Sequence, residues 1–162
     1  MHTVFLALGS NMGEREAFIN KAIDLLRKEI NVEKCAPIYE SKAAGFSDQN
    51  DFANTVLLGQ TSLSSDELLS FIKKTEKDLG RIERFTWGPR EIDIDIIFYD
   101  DLIYKNETLE IPHPRIAERD FVLKPLSDIA PDYIHPVLLK TIEELLNELP
   151  VDQKFITGIL TK

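Results

Sequence analysis

The sequence predicts an α+β fold, an antiparallel sheet with helices packed on it. Two observations carry this. Apolar residues alternate with polar ones in several short segments, and between those segments they recur at three- and four-residue spacings. The two patterns follow one another in the order β-α-β-β-α-β, with no internal repeat, low-complexity tract or linker between them. At 162 residues and 43% hydrophobic content the chain reads as one domain, residues 1–162. A chain of that size buries about 70% of the surface it exposes when unfolded, so its core needs no metal or disulfide.

Residues 3–8 form a compact apolar strand that ends at Gly9-Ser10-Asn11. Ile19, Ile23, Leu26 and Ile30, spaced 4, 3 and 4 apart, predict the first helix. Asn11 with Glu14 reads as its capping box, and Arg27-Lys28 suit its C-terminal end. Residues 32–41 and 51–60 predict two strands, separated by the polar, turn-rich segment 45–50. Ser64-Ser65-Asp66-Glu67 is a second capping box; it opens a helix with Leu69, Ile72 and Leu79 on one stripe, closed by Gly80. After a loop from Arg81 to Arg90, residues 91–99 alternate strongly and predict a strand. The tail holds a short hairpin around Asp100-Asp101, a Pro112-His113-Pro114 loop and a last helix near Thr141 to Leu149. This order is the split-βαβ, ferredoxin-like arrangement with a C-terminal helical extension. It hosts many chemistries, so it does not by itself assign one.

The charge balance narrows the classes. With 28 acidic and 19 basic residues the net charge is -9, the wrong sign for a general nucleic-acid binder. A polyphosphate substrate would need a local basic cluster or metal ions to hold it against that field. Cys35 is the one cysteine, which excludes an intrachain disulfide and a cysteine-rich zinc site; it reads as a small half-buried residue in a strand. The N-terminal segment lacks a basic n-region, and its apolar run is too short for a signal peptide. No apolar run approaches the ~18 residues of a membrane span. The expected protein is therefore cytoplasmic and monomeric, with neither nucleic acid nor membrane as partner.

The sharpest local signal is Glu91-Ile92-Asp93-Ile94-Asp95-Ile96-Ile97-Phe98. Alternation puts Ile92, Ile94, Ile96 and Phe98 on one face, and Asp93 and Asp95 on the other, with Cα atoms roughly 6.6 Å apart. Aligned aspartates repel each other and are poor strand formers. Carboxylates at that spacing can bridge hard cations, or can simply form a solvated face. The preceding loop carries Arg81, Arg84, Trp87, Gly88, Pro89 and Arg90. Guanidinium groups recognise phosphate oxygens, and Trp87 offers a flat face to a heterocycle. Glu76 falls on the apolar stripe of its helix, at the spacing set by Leu69, Ile72 and Leu79; if buried it needs a partner such as an arginine or a metal-bound water. Phe52 and Asn54, two apart on a strand, face the same side, and with Phe121 would suit a flat, hydrogen-bonding heterocycle or a plain aromatic core.

These blocks occur in order: Leu8-Gly9-Ser10-Asn11; Gln49-Asn50-Asp51-Phe52-Ala53-Asn54; Trp87-Gly88-Pro89-Arg90 running into Asp93-Ile94-Asp95-Ile96; and Ile111-Pro112-His113-Pro114 with Arg119 and Phe121-Val122-Leu123. In that order the chain resembles the 6-hydroxymethyl-7,8-dihydropterin pyrophosphokinases of folate biosynthesis, over nearly its whole length. The resemblance implies transfer of the β,γ-diphosphate of ATP to the pterin hydroxymethyl oxygen, leaving AMP, with two magnesium ions. It implies Asp93 and Asp95 as the metal ligands, and Arg81 and Arg90 beside them as catalytic phosphate contacts. It implies Phe52 and Phe121 as a pterin sandwich and Asn54 as the amide that reads the ring. Ser41, Ala44, Gly45 and Trp87 complete the pterin pocket in the same reading. Glu76, Arg84, Trp87, Arg90, Ile96, His113 and Arg119 are implied at the ATP site. Ser41-Lys42-Ala43 stands where the family often has T-x-P or T-P-P, and the second loop arginine is displaced by one position, onto Arg84. Two other readings fit some of the same residues. A metal-dependent phosphoesterase would use Asp93 and Asp95 but needs no aromatic sandwich, and a small-molecule sensor domain has no use for the paired carboxylates.

Overall fold

The computed structural model describes residues 1–44, 48–82, 84–85 and 88–161. Its first four strands are β1 (His2–Ser10), β2 (Ile30–Cys35), β3 (Tyr39–Ser41) and β4 (Phe52–Thr61). The helices α1 (Arg15–Leu26) and α2 (Ser65–Asp78) lie in the β-α-β-β-α-β order, which β5 (Asp93–Tyr99) completes. Among the described residues all pairings of these strands are antiparallel, in the spatial order β5-β1-β4-β3, with β2 also pairing β4. The ferredoxin-like expectation therefore holds. β8 (Ile156–Ile159) is an added edge strand on β3.

Each face of the sheet has its own core. Val4, Leu6 and Leu8 of β1 point to one side and pack with Ile19 and Leu26 of α1 and Leu68 and Ile72 of α2. Phe5 of β1 and Val56 of β4 point to the other, where α3 (Asp120–Ile129) and α4 (Ile142–Asn147) cover them through Val122, Leu126, Ile142 and Leu145. The Ser64 capping box on α2 is formed as expected, and Gly80 ends that helix region at φ +90°. Thr141 makes a second capping box, at α4.

Several expectations are corrected. Asn11 does not cap α1: the helix begins after Glu14 without a side-chain cap, and the Asn11 amide is used elsewhere. Ile30 belongs to β2, not to α1. The strand expected over 32–41 is two strands, because Pro37 has no N–H to give to a ladder. The hairpin lies beyond Asp100-Asp101, between β6 (Tyr104–Lys105) and β7 (Glu110–Ile111), where the Asn106 side chain accepts from Thr108 and Leu109. Cys35 is exposed, since β2 buries only Ile30 fully and runs outward from there. Phe98 does not share the face of Ile92, Ile94 and Ile96. Phe5 pairs with Phe98 while Leu6 pairs with Ile96, so Ile97 is an extra residue, a β-bulge. Ile97 and Phe98 both enter the α3–α4 core, and Phe98 meets Phe5 edge-on at 5.7 Å.

Candidate active site

The register of three strands builds a cleft on the α3 side of the sheet. Asp93 of β5 lies opposite Gly9 of β1, and Gly9 opposite Asn54 of β4; one step along, Asp95 lies opposite Ala7. Directly paired residues share a face. The two aspartates and Asn54 are thus separated by residues with almost no side chain, and the floor between them stays open. A Cβ on Gly9 would stand 3.2 Å from Asn54 Oδ1 and 3.6 Å from Phe52 Cδ1. Phe52, Asn54, Asp93, Asp95, Arg119 and Phe121 all line this one cleft. Ser41 closes it beside Asn54, whose Nδ2 donates to Ser41 Oγ at 2.7 Å. Ala44 and Arg90 also line it.

The two carboxylates differ. Asp93 accepts from Arg81 Nη1 at 3.0 Å and from Arg90 Nη1 at 2.8 Å. Asp95 lies 3.9 Å from His113 Nε2 and keeps 36% of its side chain open to the cleft. Desolvation, then the charge of Asp93, hold its carboxyl well above the ordinary carboxylate range. Two carboxylates on one face of a strand, facing an open cleft, are the donor set expected for a hard cation completed by water and phosphate oxygens.

Positive charge surrounds the pair. Arg81 also binds Glu76 Oε2 at 2.6 Å, so it bridges α2 and β5. Glu76 is buried and accepts from the Ile94 N–H at 2.9 Å; desolvation raises its carboxyl against the pull of that N–H, Lys73 and Arg81. The partner that burial demanded is thus an arginine. His113 is pushed down to about 4, by burial first and by Arg119 next, and is held neutral. Burial also lowers Arg119, whose guanidinium lies 5.6 Å from the Phe121 ring centre. Arg84 is placed otherwise. Its guanidinium forms a fork on Glu91, at 2.8 and 2.7 Å, and that pairing holds the Glu91 carboxyl at about 2. Ile96 points into the α1–α2 core and not into the cleft, so a nucleotide could meet only its backbone. Gly45 and Trp87 lie outside the described residues.

The chain matches the profile of the 7,8-dihydro-6-hydroxymethylpterin-pyrophosphokinases over residues 5–131. It is 50% identical over 148 residues to a 2-amino-4-hydroxy-6-hydroxymethyldihydropteridine pyrophosphokinase of Aquifex aeolicus, covering 91% of this chain and 92% of that protein. The chain belongs to this family. A Bacillus subtilis pyrophosphokinase of the same description is 41% identical over 127 residues, covering 77% of this chain and 76% of the relative. The crystal structure of wild-type Plasmodium falciparum HPPK-DHPS superposes with a TM-score of 0.75 at 17% identity. That match covers 91% of this chain and only 44% of the Plasmodium chain, and it shows the fold alone.

One residue of this pyrophosphokinase was misread from sequence. Asn11 is buried and joins three segments: its Nδ2 donates to Gln49 Oε1 at 2.8 Å and to the Asn50 carbonyl at 3.1 Å, and its Oδ1 accepts from the Arg90 N–H at 2.9 Å. It ties the strand carrying Gly9 to both loops that border the cleft. The signal was present in the Leu8-Gly9-Ser10-Asn11 block, but the local capping pattern with Glu14 competed with it.

Proposed function

We propose that residues 1–162 form a single pterin pyrophosphokinase domain whose cleft binds hydroxymethyldihydropterin between Phe52 and Phe121 and the ATP triphosphate beside Asp93 and Asp95. As a member of its family the protein is a pyrophosphokinase of folate synthesis, transferring a diphosphate to hydroxymethyldihydropterin. The observation that carries the placement is the single cleft in which two aromatic rings, one amide, two carboxylates and Arg90 and Arg119 meet.

Asn54 reads the edge of the pterin ring, oriented by Ser41, and the segment through Ala44 and Gly45 supplies backbone groups. Trp87 is assigned to both the pterin and the ATP. Arg81 and Arg90 deliver positive charge at the transferred group, and Arg119 and His113 contact the phosphates. Glu76 acts at the nucleotide site through Arg81, which it orients. Arg84 reaches the triphosphate by exchanging Glu91 for phosphate oxygens, and the backbone of Ile96, on the edge strand β5, meets the adenine. Asp93 and Asp95 would hold magnesium, two ions in this reading, which supplies charge neutralisation for the transferred diphosphate. Phosphoryl-type transfer depends mainly on positioning and electrostatics, so no general base is assigned. The protein is read as a cytoplasmic monomer; no helix of the described residues is long and apolar enough to cross a membrane.

Phosphorus NMR of the protein with ATP, magnesium and hydroxymethyldihydropterin tests this reading. AMP should appear only when the pterin is present. Inorganic phosphate released without the pterin would favour a phosphoesterase, and an unchanged ATP spectrum would favour a sensor.

A further inference from the structure

The family profile ends at residue 131, yet the chain beyond it packs against residues that line the cleft. Residues 155–159 run beside β3, with Ser41 opposite Ile156 and Tyr39 opposite Ile159. The Lys42 N–H donates to the Phe155 carbonyl at 2.9 Å, so the ladder extends into the segment that follows Ser41. From the other side, the buried carboxylate of Asp120 accepts the Phe155 N–H at 2.9 and 3.0 Å and the Ile156 N–H at 3.0 Å. Asp120 stands between Arg119 and Phe121 at the start of α3. The Phe155 ring meets Phe121 edge to face, with centroids 6.1 Å apart and planes at 79°.

Through these contacts the C-terminal segment is tied to Ser41, Lys42 and Phe121, which line the cleft. Phe121 is held by the Arg119 guanidinium and by a T-shaped contact with Phe155. A ring on the surface of a cleft has two soft torsions, and a stacked ligand must otherwise fix them at an entropic cost. An edge-to-face neighbour fixes the ring plane before the ligand arrives. We infer that Phe155, locked in place by the Asp120 carboxylate, is a positioning residue for pterin binding, and that the C-terminal strand backs one wall of the pterin site. The inference rests on the reading of Phe121 as one half of the pterin sandwich.

The test compares Phe155→Leu, Phe155→Tyr, Phe121→Ala and the double variant Phe121→Ala/Phe155→Leu in the full chain. Pterin affinity is read by fluorescence with a non-hydrolysable ATP analogue and magnesium present, nucleotide affinity by calorimetry, and turnover at saturating pterin. Phe155→Leu, which keeps apolar bulk without a ring edge, should weaken pterin binding about 2- to 12-fold, the worth of an aromatic pair. Nucleotide affinity and turnover at saturation should be unchanged, and Phe155→Tyr should restore the affinity. In the Phe121→Ala background Phe155→Leu should add no further loss. Wild-type pterin affinity in Phe155→Leu, or equal losses of pterin and nucleotide affinity, would overturn the inference while leaving the sandwich intact. Wild-type affinity in Phe121→Ala would instead overturn the sandwich reading itself.

Discussion

Replacing Glu76 by alanine removes an acceptor from three donors, the Ile94 N–H, Arg81 and Lys73. The Ile94 N–H, 2.9 Å from the carboxylate, lies in the interior and would be left unpaired, at about 1–3 kcal/mol. Arg81 would lose its 2.6 Å partner but keep Asp93 at 3.0 Å, and it retains 19% of its side chain at the surface. Breaking a buried ion pair costs about 3–5 kcal/mol, and the surviving contact to Asp93 puts this case near the lower end, about 3 kcal/mol. For a chain of this length each kcal/mol moves the melting temperature by roughly 2–4 °C, so Glu76→Ala should melt about 6–12 °C lower. Glu76→Gln keeps an acceptor for Ile94 and should lose about half as much. Because burial raises the Glu76 carboxyl, the folded state binds the proton more tightly than the unfolded one. Its contribution to stability is then fully present below the unfolded value and is lost as pH rises through the folded one. The advantage of wild type over Glu76→Gln should accordingly grow as the solution is acidified from neutrality towards about 4.5. Thermal melts and urea titrations across that range measure all of this. A loss below about 1 kcal/mol for Glu76→Ala, or equal losses for alanine and glutamine, would refute the idea that the Ile94 amide and Arg81 depend on this carboxylate.

Three further outcomes are expected. Asp95→Asn removes a carboxylate held uncomfortably beside Asp93, so it should melt at or above wild type while turnover falls about 100-fold or more; calorimetry beside a turnover assay separates the two effects, and near-normal turnover would remove Asp95 from the chemistry. Gly9→Ala would push on Asn54 Oδ1 from 3.2 Å and should raise the pterin KM about tenfold, or ~1.4 kcal/mol, with the ATP KM unchanged; steady-state kinetics decide it. His135 accepts from the Val137 and Leu138 N–H groups through Nδ1, at 3.1 and 3.0 Å, and burial lowers its basicity. Stability should therefore be full above about pH 6.5 and decline as pH falls below it. Asn at position 135 keeps an acceptor without the titration, so melting curves of His135→Asn should lack this part of the acid dependence.

The legible parts of the fold were those written as local periodicity. β1, β4, α2 and its capping box need only their own residues to be read, and the β-α-β-β-α-β order followed from them. α3 was missed because Pro125 sits inside it, where a helix pattern ordinarily stops. β8 was missed because three of its four residues are exposed and its short pattern Ile156-Thr157-Gly158-Ile159 acquires meaning only against β3. The cleft was legible where chemistry demands unusual residues on a strand, as at Asp93 and Asp95. Partner choice was not: Arg84 selects Glu91, and Asn11 selects Gln49, Asn50 and Arg90, through contacts that span 7 to 79 positions.

The extra residue at Ile97 has a consequence for how this strand can vary between relatives. Asp93 and Asp95 precede it, and Phe98, Tyr99 and the chain leading to His113 follow it. Deleting that single residue would leave the pairings on both sides intact, Ile96 with Leu6 and Phe98 with Phe5, because Ile97 has no partner of its own in the ladder. Tyr99 would keep the core in which its hydroxyl donates to the Leu63 carbonyl at 2.6 Å. The deletion would instead empty the place that the Ile97 side chain fills between α3 and α4, and remove the carbonyl that accepts the His113 N–H beside Asp95. The bulge thus stands between the half of the strand that carries the carboxylates and the half that serves packing, and gives its one residue two duties, as a core side chain and as an anchor for the loop at the cleft.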